Sequence, residues 1–237
     1  MSTKAATGKL YLVPTPIGNL GDITQRALDT IASSEIIACE DTRISGRLMA
    51  HFGLKKRLIS YHDFNEKRRL PQLLEILKTG GSVSVITDAG SPGLSDPAYR
   101  IIRAAIDNGI TVCPLPGPNA LIPALTGSGL PLDRFFFEGF LPNKSGSRRN
   151  RLGKLKELEH TLVFYESPHR IEKTIVDLLD IFGDRPACLA REISKIYEEF
   201  IRGNLSEILT TIRQKHIKGE IALVVSGSPS RKRTSGE

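Results

Sequence analysis

The stretch Ser82–Pro97, SVSVITDAGSPGLSDP, decides the fold. SVSVIT (Ser82–Thr87) reads as a short strand, and it empties into a loop of small residues and prolines. A helix is expected next, from about Ala98 to Asn108, with Asp96 as a possible N-cap. The same grammar repeats on both sides. Upstream, KLYLV (Lys9–Val13) reads as a strand running into PTPIGNLGD, with a helix from about Asp22. Asp22 can cap that helix, and Ile23, Ala27 and Ile31 recur along one of its faces. EIIACE (Glu35–Glu40) is a second strand, followed by DTRISGRLMAHF as a helix, and RLIS (Arg57–Ser60) is a third strand. Downstream, ITVCPLPG is a strand leading into PGPNALIPAL. Strands that alternate with helices imply parallel βαβ units with helices on the sheet faces. Three Gly- and Pro-rich loops, Pro14–Gly21, Asp88–Pro97 and Pro116–Pro118, then sit at strand C-termini, where open α/β sheets bind ligands.

TGSGLPLDRF (Thr126–Phe135) breaks the rhythm and is expected to be a linker. A second α/β unit follows, with strands at FFFEGFL, TLVFYE, ACLARE and EIALVVSG. The expectation is α/β, with two α/β domains in series at residues 9–126 and 133–227 and flexible tails at 1–8 and 228–237. Phe135–Phe137 read as buried strand residues.

The 237 residues carry 33 Lys+Arg against 26 Asp+Glu, a formal charge of +7 that points to an anionic partner. Six basic residues and no acid fall between Lys144 and Lys156, KSGSRRNRLGKLK. Lys144, Arg148, Arg149, Arg151 and Lys154 are the RNA-binding candidates, read as a flexible arm that settles on phosphates, in a segment that continues into a helix to about Leu158. A solvated charged loop is the alternative. Cys39, Cys113 and Cys188 are widely spaced, which argues against a disulfide framework and against zinc. No apolar stretch is long enough for a membrane span, and MSTKAATGK has no signal core, so a cytoplasmic location without membrane attachment is expected.

Several chemistries lack their motifs. The loop Pro14–Asp22 has Gly18 and Gly21 in place of G-x-G-x-x-G, and neither a P-loop nor an H-E-x-x-H is present. No Gly-x-Ser-x-Gly marks a hydrolase nucleophile, and no metal is expected.

Seven blocks taken together carry a resemblance: LYLVPTPIGNLGDIT, ACEDTR, ITDAGSPGLSDPAY, PLPGPNA, EGFLP, FYESPHR and LARE. From about Leu10 to Val225 the chain resembles the tetrapyrrole-methylase-like superfamily, and within it the 16S ribosomal RNA (cytidine-2'-O)-methyltransferases of the RsmI family. The resemblance implies a class III fold with S-adenosylmethionine in a cleft between two α/β domains. It also implies a homodimer, small-subunit (16S) ribosomal RNA as partner, and a 2'-O-methylcytidine product in the decoding region. The family's donor-binding loops carry over to Pro14, Thr15, Pro16 and Gly18; to Asp88, Ala89, Gly90, Ser91 and Pro92; and to Pro116, Gly117, Asn119 and Ala120. In the second domain they carry over to Tyr165, Glu166 and Ser167, to Leu189 and Glu192, and to Gly219, Glu220 and Ile221. Some family members carry a further C-terminal helical segment. If that segment grips the ribosome, this chain is expected to grip differently or more weakly.

A ribose hydroxyl needs a base to take its proton, and candidates at strand ends are Glu40, Asp41, His62, Asp88 and Glu166. Arg43, Arg170 or Arg191 could hold a phosphate. Plainer roles stay open. Asp41 can cap a helix, His62 can be a surface residue, and Glu166 can pair with Arg170. Two rival functions stay open too: methylation of a tetrapyrrole or other small molecule, and RNA binding without catalysis.

Overall fold

A computed structural model describes residues 8–95, 98–215 and 217–229. The expected Asp96 cap and most of the two tails lie outside the described residues. The chain divides into two compact units, Met1–Asn119 and Ala120–Glu237.

The first unit holds β1 (Lys9–Leu12), α1 (Gln25–Ser33), β2 (Ile36–Cys39), α2 (Thr42–His51), β3 (Leu58–Ser60), α3 (Glu66–Lys78), β4 (Ser82–Ile86), α4 (Tyr99–Asp107) and β5 (Thr111–Pro114). Its sheet has the order β3-β2-β4-β1-β5, and every neighbouring pair is parallel. Strand pleating sends alternate side chains to opposite faces. Ile36, Ala38, Val83 and Val85 pack with Leu73, Leu77, Ile101 and Ala105 from α3 and α4. Ile37, Cys39 and Ile86 pack on the other face with Ala27, Ile31 and Met49 from α1 and α2. Both faces are covered, which is why these strands read as unbroken apolar runs. Each fully buried Leu or Ile adds about 1.5–3 kcal/mol to this core. Burial also pushes the Cys39 thiol up to about 11.

The strand order marks where a ligand site is to be sought. The connection from β1 leads one way to β2, and the connection from β4 leads the other way to β5. Neighbouring β1 and β4 therefore form a topological switch point, and their C-terminal loops flank a crevice.

One helix start differs from the sequence reading. Asp22 lies in a single 3₁₀ turn, Leu20–Asp22. The cap of α1 is Thr24, whose extended backbone brings its Oγ1 within 3.0 Å of the Ala27 N–H.

The second unit comprises α5 (Leu121–Ser128), β6 (Phe135–Phe140), α6 (Ser145–Leu155), β7 (Thr161–Glu166), α7 (Ile171–Phe182), β8 (Pro186–Arg191), β9 (Glu199–Asn204), α8 (Leu205–Gln214) and β10 (Ile221–Val225). Its sheet, β6-β7-β10-β8-β9, is mixed: β6 and β7 are parallel, and the other pairs are antiparallel. All five residues of the central β10, IALVV, are buried. Thr126–Ser128, expected to open a linker, instead complete α5, and Gly129 ends it at φ 79°. The helix packs on β8, β9 and β10, so the units divide ahead of it. Of the three phenylalanines expected to be buried, Phe135 is exposed, Phe136 packs against the core, and Phe137 is half-buried with its ring against Tyr165.

The basic run also departs from expectation. It is helix α6, not a flexible arm, and it buries Arg148, Leu152 and Leu155. The acids missing from the local sequence arrive from elsewhere in the unit. Arg148 donates Nε to Asp177 Oδ2 at 2.7 Å, and the two side chains belong to residues only 4% and 6% exposed. Arg149 reaches Asp177 at 2.8 Å and Asp180 at 3.0 Å. Arg151 grips Glu138 with two bonds of 2.6 and 2.7 Å. Removing one partner of a buried pair strands the other charge without water. Asp177→Ala should therefore lower unfolding free energy by about 3–5 kcal/mol in a denaturant titration, whereas replacing both Arg148 and Asp177 by Met and Leu should cost much less. Equal losses in the two variants would contradict this account.

Candidate functional site

Three loops of the first unit are tied into one structure. Thr15 and Gly90 exchange reciprocal backbone hydrogen bonds, each 2.9 Å, so the β1 and β4 loops are paired directly. Thr15 Oγ1 donates to the Thr87 carbonyl at 3.0 Å. Gly90 has φ 86°, a conformation that side chains disfavour, and it turns the chain out of the sheet at that bridge. The β5 loop joins through Ser91 Oγ, which donates to the Pro118 carbonyl at 3.1 Å. A Cβ on Gly117 would meet the Pro14 ring at 2.7 Å, so glycine lets these two loops touch. Pro14–Gly18, Asp88–Pro92 and Pro116–Asn119 thus come together, while Ala120 begins the second unit.

Beside them lies a pocket of about 360 Å³ lined by Thr15, Pro16, Gly18, Thr87 and Asp88, and by Ile44, Leu48 and His51 of α2. That volume falls within the range of small-molecule sites, about 300–1,000 Å³. The α2 residues were not singled out in the sequence. Their signal was present, because positions 44, 48 and 51 recur at helical spacing on one face.

Carboxylates gather at the strand ends. Asp88 Oδ1 accepts the Asp41 backbone N–H at 3.1 Å. Burial, with the Asp41 charge adding to it, raises the Asp88 carboxyl above its ordinary value. Burial raises Glu40 as well, reinforced by the Asp88 charge. Asp41 goes the opposite way. Its Oδ1 accepts the Arg43 N–H at 2.8 Å as the α2 cap, and the Arg43 guanidinium grips both carboxylate oxygens. That guanidinium holds Asp41 far below the usual carboxylate range. Asp41 and Arg43 therefore occupy each other. His62 lies in the turn after β3, where its Nε2 is 3.0 Å from Asn65 Nδ2.

In the second unit, strand register aligns three stretches that are far apart in sequence. Ile221 sits opposite Glu166 on one side and Arg191 on the other. Tyr165–Ser167, Leu189–Glu192 and Gly219–Ile221 thus share one sheet end. Glu192 Oε1 accepts the Glu220 N–H at 3.0 Å and Lys195 Nζ at 2.9 Å. Burial works to raise the Glu192 carboxyl, but these two bonds and the Lys195 charge outweigh it and hold the carboxyl low. A Cβ on Gly219 would meet Glu192 Cδ at 2.3 Å. Leu189 and Ile221 are buried in the hydrophobic core, so their side chains face away from any ligand in solvent. Glu166 is 2% exposed and fully engaged: Thr174 Oγ1 donates to Oε2 at 2.7 Å, the Ser167 N–H donates to Oε1 at 2.9 Å, and Arg170 lies 3.2 Å away. Arg170 also donates to the Leu141 carbonyl, and Arg191 pairs with Glu199, so neither guanidinium is unoccupied.

A family model for tetrapyrrole (corrin/porphyrin) methylases matches residues 9–209. Among solved structures, a cobalt precorrin-4 methyltransferase superposes with TM-score 0.66 at 16% identity, covering 92% of this chain and 94% of that one. A uroporphyrin-III C-methyltransferase from Thermus thermophilus in complex with S-adenosylhomocysteine gives TM-score 0.66 at 17% identity, over 92% of this chain and 97% of that one. These likenesses define the class, a methyltransferase of the tetrapyrrole methylase fold. Two relatives named ribosomal RNA small subunit methyltransferase I are far more similar. The Micromonospora olivasterospora protein is 46% identical over 95% of this chain and 72% of its own length. The Vibrio cholerae protein is 48% identical over 92% of this chain and 77% of its own. The chain belongs to the ribosomal RNA small subunit methyltransferase I family. It is an enzyme whose methyl donor is S-adenosylmethionine.

The first-unit loops suit that donor. Apolar Pro16, Ile44 and Leu48 offer surface for a flat ring, and Asp88 offers negative charge to a cationic molecule. The raised carboxyls carry a pH signature. A group whose folded pKa is raised binds a proton more readily in the native state, so stability falls as pH climbs from the ordinary carboxylate range through the raised one. Asp88→Asn keeps an acceptor for the Asp41 N–H while deleting the charge. It should bring Glu40 back toward its ordinary value in a carboxyl NMR titration and flatten the fall in stability across that window. An unmoved Glu40 titration would show that the two carboxyls do not interact.

Proposed function

We propose that this protein transfers the methyl group of S-adenosylmethionine to the ribose 2'-hydroxyl of a cytidine in the decoding region of small-subunit ribosomal RNA. The observation that carries the reading is the identity of 46–48% across more than nine-tenths of the chain with relatives named for small-subunit ribosomal RNA. The solved structures named for tetrapyrrole substrates are 16–17% identical and speak for the fold alone. S-adenosylmethionine supplies a methyl group already activated on a sulfonium.

The chain's own residues have three tasks. The bridged loops Pro14–Gly18 and Asp88–Pro92, with Pro116–Asn119, would hold the donor through backbone groups and the Asp88 carboxylate. Tyr165–Ser167, Leu189–Glu192 and Gly219–Ile221 stay assigned to donor contact by family likeness alone, with Leu189 and Ile221 limited to their backbones. Glu40 would take the ribose proton. Its carboxyl is raised by burial and, among the described residues, makes no ion pair; Asp88 shares both properties but is assigned to the donor, and a stronger base removes a hydroxyl proton more readily. Asp41 and Glu166 are occupied by Arg43 and by Thr174 and Arg170. A homodimer working in the cytoplasm completes the proposal, and among the described residues no helix is long and apolar enough to cross a membrane.

Incubation with small subunits and methyl-labelled donor should put label into RNA, and digestion to nucleosides should recover it as 2'-O-methylcytidine. Label on a base would refute the ribose assignment. Glu40→Gln should slow transfer by about 10²–10⁴-fold while donor affinity, measured by calorimetry, stays as it was.

A further inference from the structure

Phe64 is 99% exposed, the most open large apolar side chain among the described residues. It stands in the turn between β3 and α3. Because β3 runs parallel to β2 as its neighbour, this turn rises at the same sheet end as Glu40 and Asp41.

The turn beneath Phe64 is braced. Asn65 Oδ1 accepts the His62 N–H at 2.9 Å, and Asn65 Nδ2 donates to the Ser60 carbonyl at 3.2 Å and to Ser60 Oγ at 3.0 Å. Tyr61 on one side is buried, and so is Glu66 on the other, which pairs with Arg100. The Phe64 and His62 rings meet edge to face, with centroids 6.0 Å apart. A rigid turn thus holds an aromatic ring out into water.

Lys67 and Arg68 follow in the first turn of α3. Both are exposed, and among the described residues neither makes an ion pair. Cations at a helix N-terminus oppose the helix dipole, whereas an anion there is favoured both by the dipole and by these side chains. The arginines of α6, by contrast, are neutralised by Asp177, Asp180 and Glu138.

We propose that Phe64 is a stacking platform for an unpaired base of the substrate RNA, and that Lys67 and Arg68 hold its neighbouring phosphates. An exposed ring with exposed cations three and four residues further along the chain is a combination with which proteins take single-stranded RNA, and here it outweighs the one exposed acid beside the ring, Asp63. The inference rests on the ribosomal RNA reading and assigns it a contact surface.

The test compares full-length wild type, Phe64→Ala, Phe64→Trp and the double variant Lys67→Ala/Arg68→Ala. Each is titrated with small-subunit ribosomal RNA, and methyl transfer to that RNA is measured in parallel. Phe64→Ala should weaken RNA binding by about 5- to 150-fold, Phe64→Trp should restore it, and S-adenosylmethionine affinity should not change. The double variant should reduce the logarithmic salt slope by about 0.7 for each phosphate that its missing cations had neutralised. Equal RNA affinity in wild type and Phe64→Ala overturns the proposal, even if wild type methylates the RNA. Binding that depends on Phe64 without any methyl transfer supports the surface and rejects the ribosomal RNA reading instead. Wild type that binds no RNA overturns both. A shift toward monomer in sedimentation with RNA affinity intact makes Phe64 a contact with a second copy of the chain and also overturns it.

Discussion

The pair of 2.9 Å hydrogen bonds between Thr15 and Gly90 is the constraint on which the first unit's site depends. β1 and β4 send their connections in opposite directions, so the crevice between their loops would otherwise spread. The bridge closes it at the base. Thr15 Oγ1, bonded to the Thr87 carbonyl, satisfies a buried group at the same place. From this joint Asp88 is aimed toward Asp41 and the pocket wall, and Ser91 reaches the β5 loop. Backbone fixed in this way needs no reorganisation when a ligand arrives, which is how a folded scaffold lowers the entropy cost of binding.

Charge is handled differently in the two units. Around the pocket, carboxylates are crowded with few partners, and burial raises Glu40 and Asp88. In the second unit, charge is paired. Arg148 and Asp177 form a buried pair, and the buried Glu166 is held by Thr174 and faces Arg170. Groups left uncompensated in a protein interior cost stability and tend to be kept where chemistry needs them. The contrast separates Glu40 from Glu166, two acids at strand ends that are alike in sequence.

The fold was legible because its signals are local. Alternating strands and helices, with Gly/Pro loops at strand ends, foretold the parallel sheet and the loop positions. The capping role of Asp41 was legible as well, from its place ahead of TRISGRLMAHF. What failed was information carried by tertiary contacts. KSGSRRNRLGKLK contains no acid, yet its arginines meet Asp177, Asp180 and Glu138, which are brought by α7 and β6. Thr126–Ser128 looked like linker because small residues there permit close packing on Phe200, which lies far along the chain on β9. Glu166 looked available because neither Thr174 nor its burial is visible as a motif. Phe64 gave no sequence signal, since exposure is a property of the finished turn.

The two sheets differ in when they can be completed during synthesis. The five strands of the first are all present once residue 114 has been made, and its two core layers draw on no residue beyond Leu115. The second sheet is held at its centre by β10, which ends at Val225. Until that strand emerges from the ribosome, β7 and β8 have no neighbour between them, and their apolar edges stay open to pairing with other nascent chains. A translational stall before residue 221 would therefore leave the amino-terminal half able to fold and the carboxyl-terminal half prone to aggregate.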